Sequence, residues 1–362
     1  MGTFAFIIHP IELADVSRKF PIARYLPDGL VKWTLRRLPP IVTSRITGVR
    51  SSHGAAEGWF ISCPLTAEQM VKLPEKYVLD KVIRAARTAE KLGAGIVGLG
   101  AFTSVVGDAG ITVRKSVGVA VTTGNSYTVA TAIDAAREAL KLMDRDMRDA
   151  RVLVLGATGS IGKVLSELLA DDGYDITMAS RNIRKLEYAA RSVLDKTGVA
   201  PSITTDVKRV LRSADVVFCV SSSLDVIVEP PDLKPGALVV DVSRPRNVSR
   251  EVARFRKDVL VIEGGVVRVP GDADFHFDFG FPKGLCYACM AETMVLAMEE
   301  RYEDFSLGRD LSAARVKEIS RLAGKHGFTL AGFRSFERPV SREEIARVVE
   351  EARAKTRRRS GC

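Results

Sequence analysis

Val152-Leu153-Val154-Leu155-Gly156-Ala157-Thr158-Gly159-Ser160-Ile161-Gly162 decides the fold of this chain. Four aliphatic residues without polar alternation read as a strand buried on both faces, and Ile161, Val164, Leu165, Leu168 and Leu169 then recur at helical spacing. The glycines therefore fall in a strand-to-helix turn. Gly156 permits the tight turn, Gly159 lets backbone approach a diphosphate, and Gly162 lets helix and strand pack closely. Free N–H groups at the helix start face the anion, so Ala157, Thr158, Ser160 and Ile161 join the glycines as expected cofactor-binding positions. A glycine-rich turn that binds nothing is the competing reading, and the strand before it and the helix after it weigh against that.

Working outward, Asp175-Ile176-Thr177-Met178-Ala179 is the next strand, and Ser180-Arg181-Asn182 follows where an NAD-specific site carries an acid for the ribose. No acid is there. Ser180 and Asn182 can hydrogen-bond a 2′-phosphate and Arg181 can pair with it through its planar guanidinium, which favours NADPH over NADH. The competing reading makes Arg181 a solvated residue that opens the next helix. Apolar strands follow at 215–220 and 237–241. Their C-terminal ends, Val220-Ser221-Ser222-Ser223 and Ser243-Arg244-Pro245, are expected along the nicotinamide crevice. One more strand, 259–263, ends in Gly264-Gly265, which allows close approach. The alternation gives an α/β fold, a doubly wound parallel Rossmann sheet over 149–284.

The chain has 362 residues, long for one core, so further domains are expected on both sides. Residues 1–148 read as an α/β substrate domain with an opening strand, strands at 46–50 and 57–63, a long amphipathic helix near 76–92, and a buried strand over 94–100. Two turn-rich segments there, Gly100-Ala101-Phe102-Thr103-Ser104 and Val121-Thr122-Thr123-Gly124-Asn125-Ser126, offer small polar groups. Thr103, Ser104, Thr123 and Asn125 are the candidate substrate residues, against the plain alternative that they cap helices. A helix over 127–143 is expected to cross to the nucleotide domain. Residues 285–337 read as a C-terminal helical segment with helices near 287–301 and 311–326, and 338–362 as a basic helical tail.

No apolar run is long enough to cross a bilayer, and the opening Phe4-Ala5-Phe6-Ile7-Ile8 lacks a basic leader, so a cytoplasmic location is expected. Five scattered cysteines, Cys63, Cys219, Cys286, Cys289 and Cys362, do not form a secreted disulfide framework, and reduced thiols are expected. Cys286-x-x-Cys289 has the spacing of a redox pair or half a zinc site. No second pair with ligand spacing exists, and His9, His53, His276 and His326 are far apart, so no metal is expected. The net charge of +10 is partly concentrated in Arg353, Lys355, Arg357, Arg358 and Arg359. Such a surface attracts acidic proteins, phosphates, membrane surfaces or nucleic acid. A solvated, partly disordered end after a helix over 342–355 is the plain alternative.

The chain resembles the aldehyde-forming long-chain acyl-[acyl-carrier-protein] reductases. The resemblance is carried by Gly100-Ala101-Phe102-Thr103-Ser104, Thr122-Thr123-Gly124-Asn125, Gly156 through Gly162, Ala179-Ser180-Arg181-Asn182, Gly264-Gly265-Val266-Val267, Ala288-Cys289-Met290-Ala291-Glu292 and Phe305-Ser306-Leu307-Gly308-Arg309, in that order over 1–332. It implies a cysteine acyl carrier at Cys289, NADPH as hydride donor and a fatty aldehyde product. As partners it implies an acidic acyl-carrier protein or acyl-CoA, and an aldehyde-consuming enzyme downstream; specific nucleic-acid binding is not implied. The segment from Arg268 to Lys283 and the tail from Phe333 depart from the family pattern, which leaves chain length and carrier open. The first domain and the sheet also resemble the shikimate dehydrogenase architecture, without that chemistry's lysine–aspartate pair.

Cys289 opens an apolar helix, where the dipole and free amides favour the thiolate. Glu292, one turn on, opposes this unless it is paired, protonated or turned away. The competing reading makes Cys289 a small buried hydrophobe among Leu285, Met290, Met294, Leu296 and Met298. His276 is a general-acid candidate by residue type alone. Two other functions stand beside this one: a shikimate or hydroxy-acid dehydrogenase that needs no thiol, and a non-catalytic NADPH-binding regulator that uses the basic tail on nucleic acid.

Overall fold

The computed structural model describes residues 1–360; Cys362, expected to be a reduced thiol, lies outside the described residues, as does the side chain of Arg359. The chain forms two compact units, each discontinuous in sequence. One comprises 1–127, 267–309 and 314–329; the other comprises 128–266, 310–313 and 330–362.

The second unit is built on the sheet read from the fingerprint. Six strands lie in the order Leu260–Glu263, Leu238–Asp241, Val216–Cys219, Val152–Leu155, Ile176–Ala179 and Ser202–Thr204, every neighbouring pair parallel. The order reverses between Val152–Leu155 and Val216–Cys219, and at such a reversal the crevice beyond the strand ends accepts a dinucleotide. This is the doubly wound α/β sheet expected. The unread strand is Ser202–Thr204, which is short, polar and partly exposed, so it carries none of the apolar signal of the other five. Helix Ile183–Thr197 shows how local chemistry sets its ends: Asn182 accepts from Lys185 N–H at 3.0 Å, and Gly198 closes it at φ 73°.

The basic end belongs to this unit and contains helix Arg342–Ser360. Helix Arg342–Ser360 buries Ile345, Val348 and Ala352. Lys355 reaches the buried Asp258 at 2.7 Å. Burial alone would raise the Asp258 carboxyl, but Arg256 and Lys355 together hold it at about 2.

The first unit has a mixed sheet in the order Gly271–Asp274, Ile41–Ser51, Gly54–Ser62, Gly2–Ile8, Ile96–Leu99, Ala120–Thr122. The Ile41–Ser51 strand runs antiparallel to both its neighbours, and the remaining pairs are parallel. The edge strand Gly271–Asp274 comes from far along the chain and pairs with bulges, which explains why no pattern announced it. Helix Ala288–Met298 is buried along nearly its whole length, and helix Ala313–His326 buries Val316, Ile319, Leu322 and Ala323. Helix Asn125–Leu142 starts in this unit and ends in the other. No helix among the described residues is long and apolar enough to cross a membrane.

Candidate active site

In the first unit the sequence-distant blocks meet around the start of the Ala288–Met298 helix. Cys289 is its second residue, after Tyr287 at the N-cap position. Of the four described cysteines it alone is part-exposed. Burial pushes the Cys63 thiol up to about 12 and raises those of Cys219 and Cys286 well above the ordinary thiol value. None of the four is in a disulfide, and no cluster of three or more His, Cys, Asp or Glu suited to a metal occurs among the described residues.

Gly124 presses directly on the cysteine. A Cβ at this position would stand 2.3 Å from Cys289 Cα, and its φ of 73° is one that side-chain-bearing residues rarely adopt. The glycine is thus required twice, by conformation and by closeness.

Glu292 fastens this turn to the helix. Its carboxyl is fully buried and accepts Thr122 Oγ1–H at 2.5 Å and Tyr127 N–H at 2.8 Å. The Ser306 hydroxyl and Gly124 N–H face the same carboxyl. Burial raises its pKa and these donors hold the rise back, with a net upward direction. A carboxyl that is turned to the Asn125–Leu142 helix start and shifted toward its neutral form weakens its repulsion of a Cys289 thiolate. Ser306 completes the lattice. Its Oγ lies 2.7 Å from Ser126 Oγ and accepts Ser126 N–H at 3.1 Å, and its carbonyl accepts Thr123 Oγ1–H. Ser306 has φ 46° and Ala101 φ 47°, so both blocks hold a residue in the strained left-handed region.

The four expected substrate residues divide. Thr103 Oγ1 donates to Gly100 O at 2.8 Å, Ser104 Oγ to Ala101 O at 2.6 Å, and Thr123 to Ser306; all three are buried. Asn125 is half-buried and its amide has no hydrogen-bond partner among the described residues. Behind the first block, His9 is buried, donates from Nδ1 to Pro10 O at 3.0 Å and accepts Phe102 N–H on Nε2 at 3.1 Å. Burial lowers its pKa to about 4, so it holds the Ala101–Ser104 turn as a neutral ring. His276 lies elsewhere. It bonds Thr47 on the Ile41–Ser51 strand, four strands from Ala120–Thr122, roughly 19 Å at the usual strand spacing, which removes it as a direct proton donor to Cys289.

Sequence reasoning missed the roles of Thr122, Ser126, Ser306 and His9. Their signal was weak because each acts through a partner remote in sequence. Glu292 at three residues past Cys289 was the visible clue, since a carboxyl on an apolar helix demands partners.

In the second unit the fingerprint turn meets the end of a neighbouring strand. Gly156 has φ 86°, and a Cβ there would stand 2.8 Å from Ser221 Cα; a Cβ on Gly162 would stand 2.4 Å from Gly156 O. Val220 and Ser221 are half-buried beside this turn and Ser222 is exposed, while Gly264 and Gly265 are buried. Thr158 Oγ1 and Ser180 Oγ lie 3.0 Å apart, which joins the first two strand ends. Asn182 spends its oxygen on the helix cap, leaving its amide N–H groups, and Arg181 is exposed with no ion pair among the described residues. The bare glycine backbone, the Ser180 hydroxyl and the spare guanidinium fit a phosphorylated dinucleotide. Deeper along the sheet, Asp241 is buried with Oδ2 unpartnered. Burial raises its pKa to about 6 against the pull of Arg244 and Arg246.

The shikimate / quinate 5-dehydrogenase family model matches residues 137–262. Over 94% of its length the chain is 29% identical to the aminotransferase PigE of a Serratia species, and it spans 41% of that protein. Over 88% of its length it is 27% identical to the long-chain acyl-[acyl-carrier-protein] reductase of Synechococcus elongatus, spanning 94% of that protein. Over 63% it is 26% identical to the glutamyl-tRNA reductase of Cenarchaeum symbiosum, spanning 54% of it. These similarities make the chain a relative of NAD(P)-dependent oxidoreductases.

Proposed function

We propose that the chain reduces a long-chain fatty acyl thioester to the aldehyde with NADPH, through a thioester on Cys289. The observation that carries the reading is that Cys289 is the part-exposed thiol at a helix start while the other described cysteines are buried and pushed upward. Similarity to the Synechococcus reductase over nearly the whole of both chains supports it.

In this reading the Cys289 thiolate attacks the acyl carbonyl. The tetrahedral intermediate expels the carrier thiolate, which takes up a proton and leaves the acyl group on sulfur. NADPH, when bound, supplies the hydride that reduces this carbonyl. The resulting hemithioacetal breaks its C–S bond to give aldehyde and returns the Cys289 thiol. The Asn125 amide is a side-chain donor beside this turn that can meet the developing oxyanion. Glu292, Thr122 and Ser306 position the helix start against the turn without touching substrate. The turn Gly156–Gly162 would hold the diphosphate, and Ser180, Arg181 and Asn182 the 2′-phosphate.

The test is turnover of a long-chain acyl thioester, on acyl-carrier protein or coenzyme A, with NADPH and then NADH, before and after thiol blocking. Aldehyde formed preferentially with NADPH and abolished by blocking supports the reading. Thiol-insensitive oxidation of a hydroxy acid would favour a dehydrogenase instead, the reading to which the family match over 137–262 points.

A further inference from the structure

The stretch between the first two strands folds into a small lobe of helix Leu13–Lys19, the turn Pro21–Tyr25 and helix Asp28–Arg37. Its core is Val16, Val31 and Leu35, with Leu13, Ala23 and Leu38 packed against it. On the second helix, Val31 and Leu35 face this core. Leu30, Trp33 and Arg37, at three- and four-residue spacing, form a second stripe that is exposed. A helix apolar on two faces ordinarily lies buried on both. In the residues just before this helix, Phe20, Ile22, Tyr25 and Leu26 are exposed as well. These four, with Leu30 and Trp33, are between 40 and 79% exposed. A single exposed leucine needs no explanation; six large apolar side chains within one short stretch do.

Charge narrows the partner. Arg18 pairs with Asp15, Lys32 with Glu68, and Lys19 donates to Thr43 O. Arg24, Arg36 and Arg37 have no carboxylate partner among the described residues, and Arg37 lies over the Trp33 ring at 3.9 Å. Asp28 is the acid nearest in sequence and sits in the first turn of its helix. The exposed, unpartnered side chains of the lobe are therefore apolar, aromatic and cationic.

We propose that this lobe docks the protein on an anionic lipid bilayer. Trp33, Tyr25 and Phe20 would sit at headgroup depth, with Arg24, Arg36 and Arg37 on lipid phosphates. The apolar groups are distributed over a helix, a turn and the residues linking them. They offer a folded partner no single register, whereas a fluid interface accepts them in any arrangement. This inference is independent of the chemistry assigned to Cys289.

The test mixes the full chain with vesicles of phosphatidylcholine alone or with phosphatidylglycerol, and measures pelleting and tryptophan fluorescence. Pelleting with the phosphatidylglycerol vesicles, weakened by salt, and a blue shift lost in Trp33→Phe are expected. Ile22→Ser/Tyr25→Ser/Trp33→Ser leaves the lobe's core intact, and Arg24→Glu/Arg36→Glu/Arg37→Glu reverses its charge. Each should weaken partitioning by about tenfold or more, with circular dichroism unchanged. The single variant Trp33→Ser, expected to be weaker in the same direction, stands in if a triple variant is misfolded. Absence of pelleting overturns the proposal. So does pelleting that survives both triple variants, as binding through helix Arg342–Ser360 would give, or self-association without lipid that the apolar variant abolishes.

Discussion

The glycine turn and the cysteine turn, the two halves of the proposed site, are built in opposite ways. Gly156–Gly162 works with bare backbone, each glycine within a few residues of the next, and leaves Arg181 unspent. The cysteine turn works with side chains drawn from 122–126, 288–293 and 305–306, nearly all buried and bonded to one another. A backbone site fails when a Cβ is added. A side-chain lattice fails when a polar partner is taken away.

Substitutions should separate the two. Cys289→Ala is expected to lower thioester reduction on the order of a thousandfold or more while NADPH affinity, read by fluorescence titration, stays unchanged. Gly156→Val should do the converse, weakening NADPH by on the order of a hundredfold through its positive φ and the clash with Ser221, while Cys289 still becomes acylated. If both functions fell together in either variant, the sites would not be separable as described.

The lattice itself is probed by Glu292→Ala. Thr122 Oγ and Tyr127 N–H lose their acceptor in a buried place, at a cost of about 4 kcal/mol in denaturant unfolding, from roughly 2 kcal/mol per unsatisfied group. Glu292→Gln keeps an acceptor and should lose less.

The pH dependence sets the two units against each other. His9 binds fewer protons folded than unfolded between about 4 and 6.5, so its contribution is lost as pH falls through that window. Asp241 binds more protons folded than unfolded between 3.8 and about 6, so its contribution is lost as pH rises. Each is worth about 3 kcal/mol by linkage. Equilibrium unfolding from pH 4 to 6 should expose the opposition: His9→Gln lets stability decline with rising pH, and Asp241→Asn lets it climb. Identical slopes in the two variants would remove this contrast. The smallest effect is expected from Arg181→Ala, a loss of about tenfold in preference for NADPH over NADH.

The same contrast explains what was legible in the sequence. Five strands of the nucleotide sheet announced themselves because burial on both faces writes continuous apolar runs, and the glycine spacing is local. Ser202–Thr204, polar and three residues long, wrote no such run. Cys289 and Gly124 were visible in two separate blocks of a family pattern, but their contact was not, since it depends on how helix Ala288–Met298 crosses the sheet. Thr103, Ser104 and Thr123 were readable as polar turn residues, yet not that their hydroxyls face their own backbone or Ser306. The capping role of Asn182, in contrast, follows directly from its place before a helical period.

The central claim is that sulfur at position 289 carries the acyl group. Intact-mass analysis of the chain mixed with a long-chain acyl thioester, first without and then with NADPH, measures this directly. An increase of one acyl group is expected without NADPH, absent in Cys289→Ala, that disappears as aldehyde forms when NADPH is added. An adduct of equal yield in Cys289→Ala, or aldehyde formed at the parent rate by that variant, would contradict it.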